Sequence, residues 1–234
     1  MKIFALDCAS GAASVALLEA DKLLGETFCD VALTHSQTLL PMAEELFRHT
    51  KTTPRDIDLF AVSAGPGSFT GVRIGIAAVK GLADAAHKPC MALSALEAAA
   101  YPFRGFDGIV CAAMDARCNQ VYTALFKNGA RILQDSAMFI TELGELLKAH
   151  GKPILFCADG AQKAFDALRN DLDVPCTLAP AQLCSARASS VAYLAAEKQK
   201  NGEQPVSACV LQPVYLRLPQ AQRELNNKNK TKEQ

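Results

Sequence analysis

The feature that most limits the possible folds of this chain is that it starts again halfway along. Ile3 to Leu6 is a short apolar run closed by Asp7, and Ile109 to Met114 is another closed by Asp115. Each is followed by a short turn, Cys8-Ala9-Ser10-Gly11 and Ala116-Arg117-Cys118-Asn119, before a second strand at Ser14 to Leu18 and Val121 to Phe126. A third strand is expected at Leu23 to Cys29 and at Arg131 to Phe139. The first copy continues through helix His35 to His49, strand Leu59 to Ser63, helix Gly71 to Ala86, strand Cys90 to Leu93 and a helix from Ser94 to Ala100, with Glu97 completing a capping box. The second continues through helix Thr141 to His150, strand Ile154 to Cys157, helix Ala161 to Leu172 and a last helix, Ser189 to Gln199. Two such copies imply an internal duplication of an α/β unit. The break at Tyr101-Pro102-Phe103-Arg104-Gly105 places the boundary, giving halves 1–104 and 105–219. The polar, Asn/Lys-rich stretch 220–234 is expected to be disordered.

One element is not repeated. Gly65-Pro66-Gly67-Ser68-Phe69-Thr70-Gly71 joins a strand to a helix in the first copy, and the second copy has no such loop. Turns of this kind present backbone N–H groups at a helix N-terminus, where phosphates bind. The Lys-Ser/Thr of a Walker A loop is absent, and Thr70 stands where the dinucleotide fingerprint has its third glycine, so a purely structural turn is the competing reading. Asp7 poses the same choice: a carboxylate aimed at a cleft, or a cap on its turn.

The helix after the loop has one thin polar stripe, Arg73, Ala77, Lys80 and Asp84, at i, i+4, i+7 and i+11. Such a helix is expected to be covered on two or more sides. Gly71, Gly75, Ala78 and Ala85 share a face on which another backbone can approach closely, either within the chain or from a partner. In the preceding helix Leu39, Met42, Ala43 and Leu46 recur at helical spacing, and Pro41 is expected to kink it or to start its second half. His35 invites a metal reading, but position i+4 is Leu39, so the two-histidine clip is incomplete and no metal site is expected.

Half of the 234 residues are apolar, enough to bury a substantial core, and formal net charge is zero. Without a Lys/Arg cluster before the tail there is no free-standing footprint for nucleic acid, so RNA contact would fall to another subunit. The nine cysteines are scattered singly with no Cys-x-x-Cys pair, which suits buried thiols in a reducing compartment. The first apolar run is too short for a signal peptide and no run is long enough to span a membrane, so a cytoplasmic location without membrane contact is expected.

The Asp-ended first strand, His35-Ser36-Gln37-Thr38-Leu39-Leu40-Pro41-Met42, the loop and helix start from Gly65 to Gly75, Met114-Asp115-Ala116-Arg117 with Val121-Tyr122, and Pro213-Val214-Tyr215-Leu216-Arg217 together resemble the bacterial TsaB (YeaZ) family, from residue 1 to about 217. The resemblance implies the duplicated actin/hexokinase/Hsp70-like (ribonuclease H-like) fold with mixed sheets and a cleft between two like domains. It implies a role in making threonylcarbamoyladenosine at position 37 of tRNA. In that pathway the catalytic subunit is the paralogue TsaD, which carries a His-x-x-x-His metal pair, and TsaE assists as an ATPase.

The first hypothesis is accordingly a non-catalytic scaffold that binds TsaD, with TsaE in the larger complex, tRNA contacted indirectly, and a homodimer formed when the chain is alone. The partner face is expected to comprise His35, Leu39, Met42, Ala43, Leu46, Arg73, Ile74, Gly75, Ala77, Ala78, Lys80, Gly81 and Leu82. The second hypothesis is an ATP-dependent phosphotransferase or ATPase with Asp7, Ser10, Gly65, Gly67 and Ser68 around the nucleotide; ATP or ADP is the one cofactor considered, in the cleft or at the partner interface. A glycoprotease reading finds no nucleophile motif.

Overall fold

The computed structural model describes residues 1–217; the stretch expected to be disordered, 220–234, lies outside the described residues. Strands β1 (Lys2–Asp7), β2 (Ala13–Glu19), β3 (Lys22–Cys29), β4 (Leu59–Gly65) and β5 (Cys90–Ser94) form one sheet in the order β3-β2-β1-β4-β5. Strands β6 (Ile109–Asp115), β7 (Gln120–Lys127), β8 (Ala130–Phe139), β9 (Ile154–Cys157) and β10 (Cys176–Leu178) form a second, in the order β8-β7-β6-β9-β10. In each, the first three strands pair antiparallel and the last two join parallel to the first. The two sheets share one topology, so the duplication read from the Asp-ended runs is a duplication of fold.

Among the described residues six α-helices cover the sheets: α1 (His35–Thr50), α2 (Phe69–Ala86), α3 (Ala95–Ala100), α4 (Ile140–Lys148), α5 (Ala161–Leu168) and α6 (Ala188–Lys200). The central strands are buried on both faces, which is why they read as unbroken apolar runs. From β1, Phe4 and Leu6 point into the core beneath α1 and α2, while Ile3 and Ala5 join Val191, Ala192 and Ala195 of α6. From β6, Ile109, Cys111 and Ala113 meet Leu143 and Leu147 of α4 and Ala161, Ala164 and Leu168 of α5.

The last helix of each copy crosses to the other sheet. α3 packs on β6 and β7 as well as on its own strands, and α6 packs on β1, β2 and β4. The N-terminus of α6 is capped from the first sheet: Ala188 N–H donates to Ser14 Oγ at 2.8 Å and Ser189 N–H to Glu26 Oε1 at 2.9 Å, satisfying donors that a helix end leaves open. A cut between Arg104 and Gly105 thus parts the two sheets but leaves each without one of the helices that cover it.

Local differences from the sequence reading have local causes. α1 runs through Pro41 as one helix, anchored by buried Leu39, Met42, Ala43, Leu46 and Phe47. Ser94 Oγ does accept the Glu97 N–H, but the Glu97 carboxylate turns to Arg131 (2.9 Å) and Lys198 (3.4 Å) instead of back to the cap, so the capping box is half made. α5 stops at Leu168, short of the expected Leu172. β10, only three residues long and directly after Pro175, carries no periodic signal and was not expected. Among the described residues no helix is long and apolar enough to cross a membrane.

Candidate functional site

A cleft of about 670 Å³ opens between the two sheets, where the C-terminal ends of β1 and β4 face those of β6 and β9. Ala9 to Gly11 and Pro66 to Gly71 line it from the first lobe, Met114 to Arg117, Tyr122 and Asp159 from the second, and Val214 to Arg217 from the chain's last described residues.

Asp7 closes β1 beneath this cleft. It is 1% exposed, and neither carboxylate oxygen has a hydrogen-bond partner of normal geometry; nor do the hydroxyls of Ser10 and Ser63. Burial therefore raises its pKa above the usual carboxylate range, with Ser63, the Ala9 backbone and His35 opposing the shift only in part. Across the cleft, loss of water around the Asp159 carboxyl, the neighbouring Asp115 charge and the more distant Asp7 push it up to about 6, although the residue is open to solvent on one side. The Asp115 N–H, which Asp159 accepts at 3.3 Å, works against that rise. Asp115 itself accepts from the Arg117 N–H at 3.0 Å and from Lys163 Nζ at 3.2 Å.

The glycine-rich loop is a strand-to-helix turn as expected, but two of its donors are used within the chain. Ser68 N–H donates to Ala9 O at 2.7 Å, Gly71 N–H to Ser68 Oγ at 3.2 Å, and Pro66 has no N–H. Two of the amides that would face a phosphate are therefore engaged. Gly65, at φ +118°, is a glycine because the Val214 carbonyl lies where its Cβ would be. Gly67 lines the cleft beside it. In the second lobe the matching turn is only Ala158-Asp159-Gly160, whose Gly160 N–H goes to Ala113 O.

The residues expected on a partner face divide. Leu39, at 1% exposed, and Met42, Ala43 and Leu46 are core beneath α1, and Gly75 is buried against Cys8 and Leu6, so these five are corrected from surface to interior. Gly71 belongs with them: its missing Cβ makes room for the Cys8 carbonyl and the His35 ring. The close backbone approach foreseen for the small-residue face is made within the chain. His35 lies at the cleft, half-buried, with Nε2 2.9 Å from Ser10 O. Lys80 donates from Nζ to Cys209 O at 3.1 Å. Arg73, Ala77 and Gly81 are exposed, and Ile74, Ala78 and Leu82 are partly so, packed from outside on the core. α2 is thus covered by the sheet, by α1 and by residues 208–210, as its thin polar stripe leads one to expect, and keeps an open strip at Arg73, Ala77 and Gly81.

Sequence reasoning missed the apolar residues that do face water nearby, Val31 (57% exposed), Leu33 (56%) and Leu40 (53%). Leu40 was visible in principle, being out of phase with the buried Leu39–Met42–Leu46 stripe. Also missed was the pairing of the loop with the chain's end: Phe69 and Tyr215 stack with ring centres 4.7 Å apart, and Arg73 lies 3.9 Å over the Phe69 ring. Among the described residues no group of His, Cys, Asp and Glu side chains is arranged to hold a metal.

A family model described as TsaD, tRNA N6-adenosine threonylcarbamoyltransferase, matches residues 30–223. The tRNA threonylcarbamoyladenosine biosynthesis protein TsaB of Bacillus subtilis is 32% identical over 226 residues, covering 95% of this chain and 96% of that one. Among solved structures, a Pseudomonas aeruginosa protein described as similar to peptidase YeaZ superposes with a TM-score of 0.78 at 29% identity, over 92% of this chain and 99% of its own. A polyphosphate/ATP-glucomannokinase from an Arthrobacter strain shares the fold alone, with a TM-score of 0.53 at 12% identity over 84% of this chain and 99% of its own. The match to the Bacillus protein runs nearly end to end in both chains, and on that ground the chain belongs to the TsaB family, within the wider group that the TsaD model describes.

Proposed function

We propose that this chain is a non-catalytic subunit of the bacterial machinery that makes threonylcarbamoyladenosine at position 37 of tRNA, and that it acts by binding TsaD. The observation that carries the non-catalytic reading is the place of Leu39. Where the catalytic paralogue has the second histidine of its metal pair, this side chain is buried in the core, and His35 is turned to a backbone carbonyl. A metal-assisted transfer then lacks a ligand that the paralogue's metal pair supplies. The engaged amides of the glycine-rich loop and the missing loop in the second lobe argue in the same direction for phosphoryl transfer.

The docking face we assign is the outer side of α1 and α2, built on Leu40, Ile74, Ala77, Ala78, Gly81 and Leu82, with Arg73 at its edge. An apolar strip of small and branched residues on two adjacent helices suits a paralogue of the same fold, with which it would form a helix-on-helix interface. TsaE would join the resulting pair, tRNA would be held by the assembly, and any ATP or ADP would sit at the joint interface rather than serve this chain's own turnover. The test is reconstitution: the chain, TsaD and TsaE with tRNA and the threonylcarbamoyl donor. Ala77→Arg should keep the fold and its melting temperature while abolishing co-purification with TsaD and modification of tRNA. Normal modification by that variant would place the partner elsewhere.

A further inference from the structure

Residues 212–217 form neither helix nor strand, yet they are fastened at three points. Val214 N–H donates to Ala64 O at 2.7 Å, at the end of β4. Tyr215 stacks on Phe69, and its hydroxyl accepts from Arg73 Nε at 2.7 Å, on the first turns of α2. Arg217 donates from its guanidinium to Ala116 O at 2.7 Å. The first two anchors belong to the first sheet's lobe; the third belongs to the second. The segment therefore crosses the cleft mouth.

Its far anchor is an unusual piece of backbone. Arg117, Cys118 and Asn119 take φ of 63°, 51° and 57°, three successive non-glycine residues in the left-handed region. Each costs on the order of 1 kcal/mol or more, so the turn persists only because its surroundings hold it. Within it, Ala116 N–H donates to Gln120 O and Gln120 N–H to Arg117 O, both at 3.0 Å. On another side of the molecule, away from the residues that line the cleft, Glu97 of α3 meets Arg131 of β8 and Lys198 of α6, and Ser94 donates to Asp135 at 2.6 Å. That half-buried cluster ties the same two lobes together where α3 and α6 cross.

We propose that residues 212–217 are a strap that sets the opening between the two lobes, with Arg217 as its latch and the Tyr215–Arg73 pair as the joint that links the latch to α2. With the ion cluster as a fixed hinge, separating the lobes requires Arg217 to leave Ala116, and a guanidinium bonded to a carbonyl is a charge-assisted contact that releases reluctantly. Because Arg73 stands on the open side of α2, a change in cleft width reaches the helical face through one hydrogen bond. This inference does not depend on which partner binds that face.

Amide hydrogen exchange on the isolated full-length chain tests it. In Arg217→Ala the amides of Ala116 and Gln120 should exchange roughly tenfold faster or more, the effect of losing one hydrogen bond to a charged group, while the Val214 amide stays protected and the melting temperature barely moves. Arg217→Lys should restore part of the protection. Tyr215→Ala is the decisive variant, because Tyr215 is held by α2 and not by the 116–120 turn: a strap predicts faster exchange in that turn all the same, since its latch has lost an anchor. Unchanged exchange at Ala116 and Gln120 in Arg217→Ala, or a turn loosened by Arg217→Ala but indifferent to Tyr215→Ala, would overturn the proposal.

Discussion

The Nε2 atom of His35 lies 2.9 Å from the carbonyl oxygen of Ser10, a bond that fixes the ring against the first turn of the chain. With Leu39 buried below it, there is no second ligand on that helix face. The purified chain should therefore take up no zinc or iron in calorimetric titration, and His35→Ala should leave metal content unchanged. Stoichiometric uptake lost in His35→Ala would show a site that this geometry does not provide.

Two glycines of α2 should respond to alanine in opposite directions. At Gly81 a Cβ would meet nothing within 4 Å, so Gly81→Ala gains helix propensity and should stabilise by up to about 1 kcal/mol, raising Tm by roughly 2–4 °C in a chain of this size. At Gly71 the Cβ would run into the Cys8 carbonyl, which belongs to backbone and cannot step aside. Overpacking of about 1–3 kcal/mol then outweighs the propensity gain, and Gly71→Ala should melt lower. Equal melting temperatures for the two variants would contradict the placement of α2.

Acid should favour the folded cleft. Asp159 stands at about 6 against an ordinary 3.8, and Asp7 is raised as well, so between those values the folded chain holds protons that the unfolded chain gives up. Stability from Asp159 accordingly falls as pH rises through that window, its penalty complete above about 6, and Asp7 acts in the same direction. Asp159→Asn should be the more stable protein near neutrality, by on the order of 1 kcal/mol once solvent screening is allowed for, and should lose that advantage as pH falls toward about 4. Scanning calorimetry across the window reads the sign directly; an advantage that grows in acid would refute it.

In the absence of a partner, the open side of α1 and α2 should pair with a second copy of itself, since a patch suited to a like fold can meet its own image across a two-fold axis. Sedimentation at tens of micromolar should show a dimer for the parent chain and a monomer for Leu40→Asp. A parent chain that sediments as a monomer at that concentration removes the prediction.

Much of the architecture was legible because it rests on short-range pattern. The Asp7 and Asp115 runs announced two copies, and the turn between β4 and α2 declared itself through its glycines. What periodicity does not carry is the side from which a helix of small residues is approached. Gly71, Gly75 and Ala78 look alike in sequence; Cys8 comes up against the first two from within, and only Ala78 is left near the outside. The Leu39, Met42, Ala43 and Leu46 stripe marked an apolar face correctly, but an apolar face is more often core than interface, and here it is core. Nor does local sequence reveal that Tyr215 stacks on Phe69 or that Arg217 reaches Ala116, because in both pairs the partners lie more than 100 residues apart in the chain.

The crossing of α6 onto the first sheet also bears on how the chain is made. A ribosome delivers β1, β2 and β4 long before residues 188–200, so the face carrying Ile3, Ala5, Leu18, Leu59 and Ala61 has only Ala98 and Tyr101 to cover it while the second sheet is still being synthesised. The first half cannot mature as an independent nascent domain, and a message truncated before Ala188 yields a product with a largely bare apolar sheet face, open to chaperones and proteases. Completion of α6 is the event that converts two partly built halves into one protein.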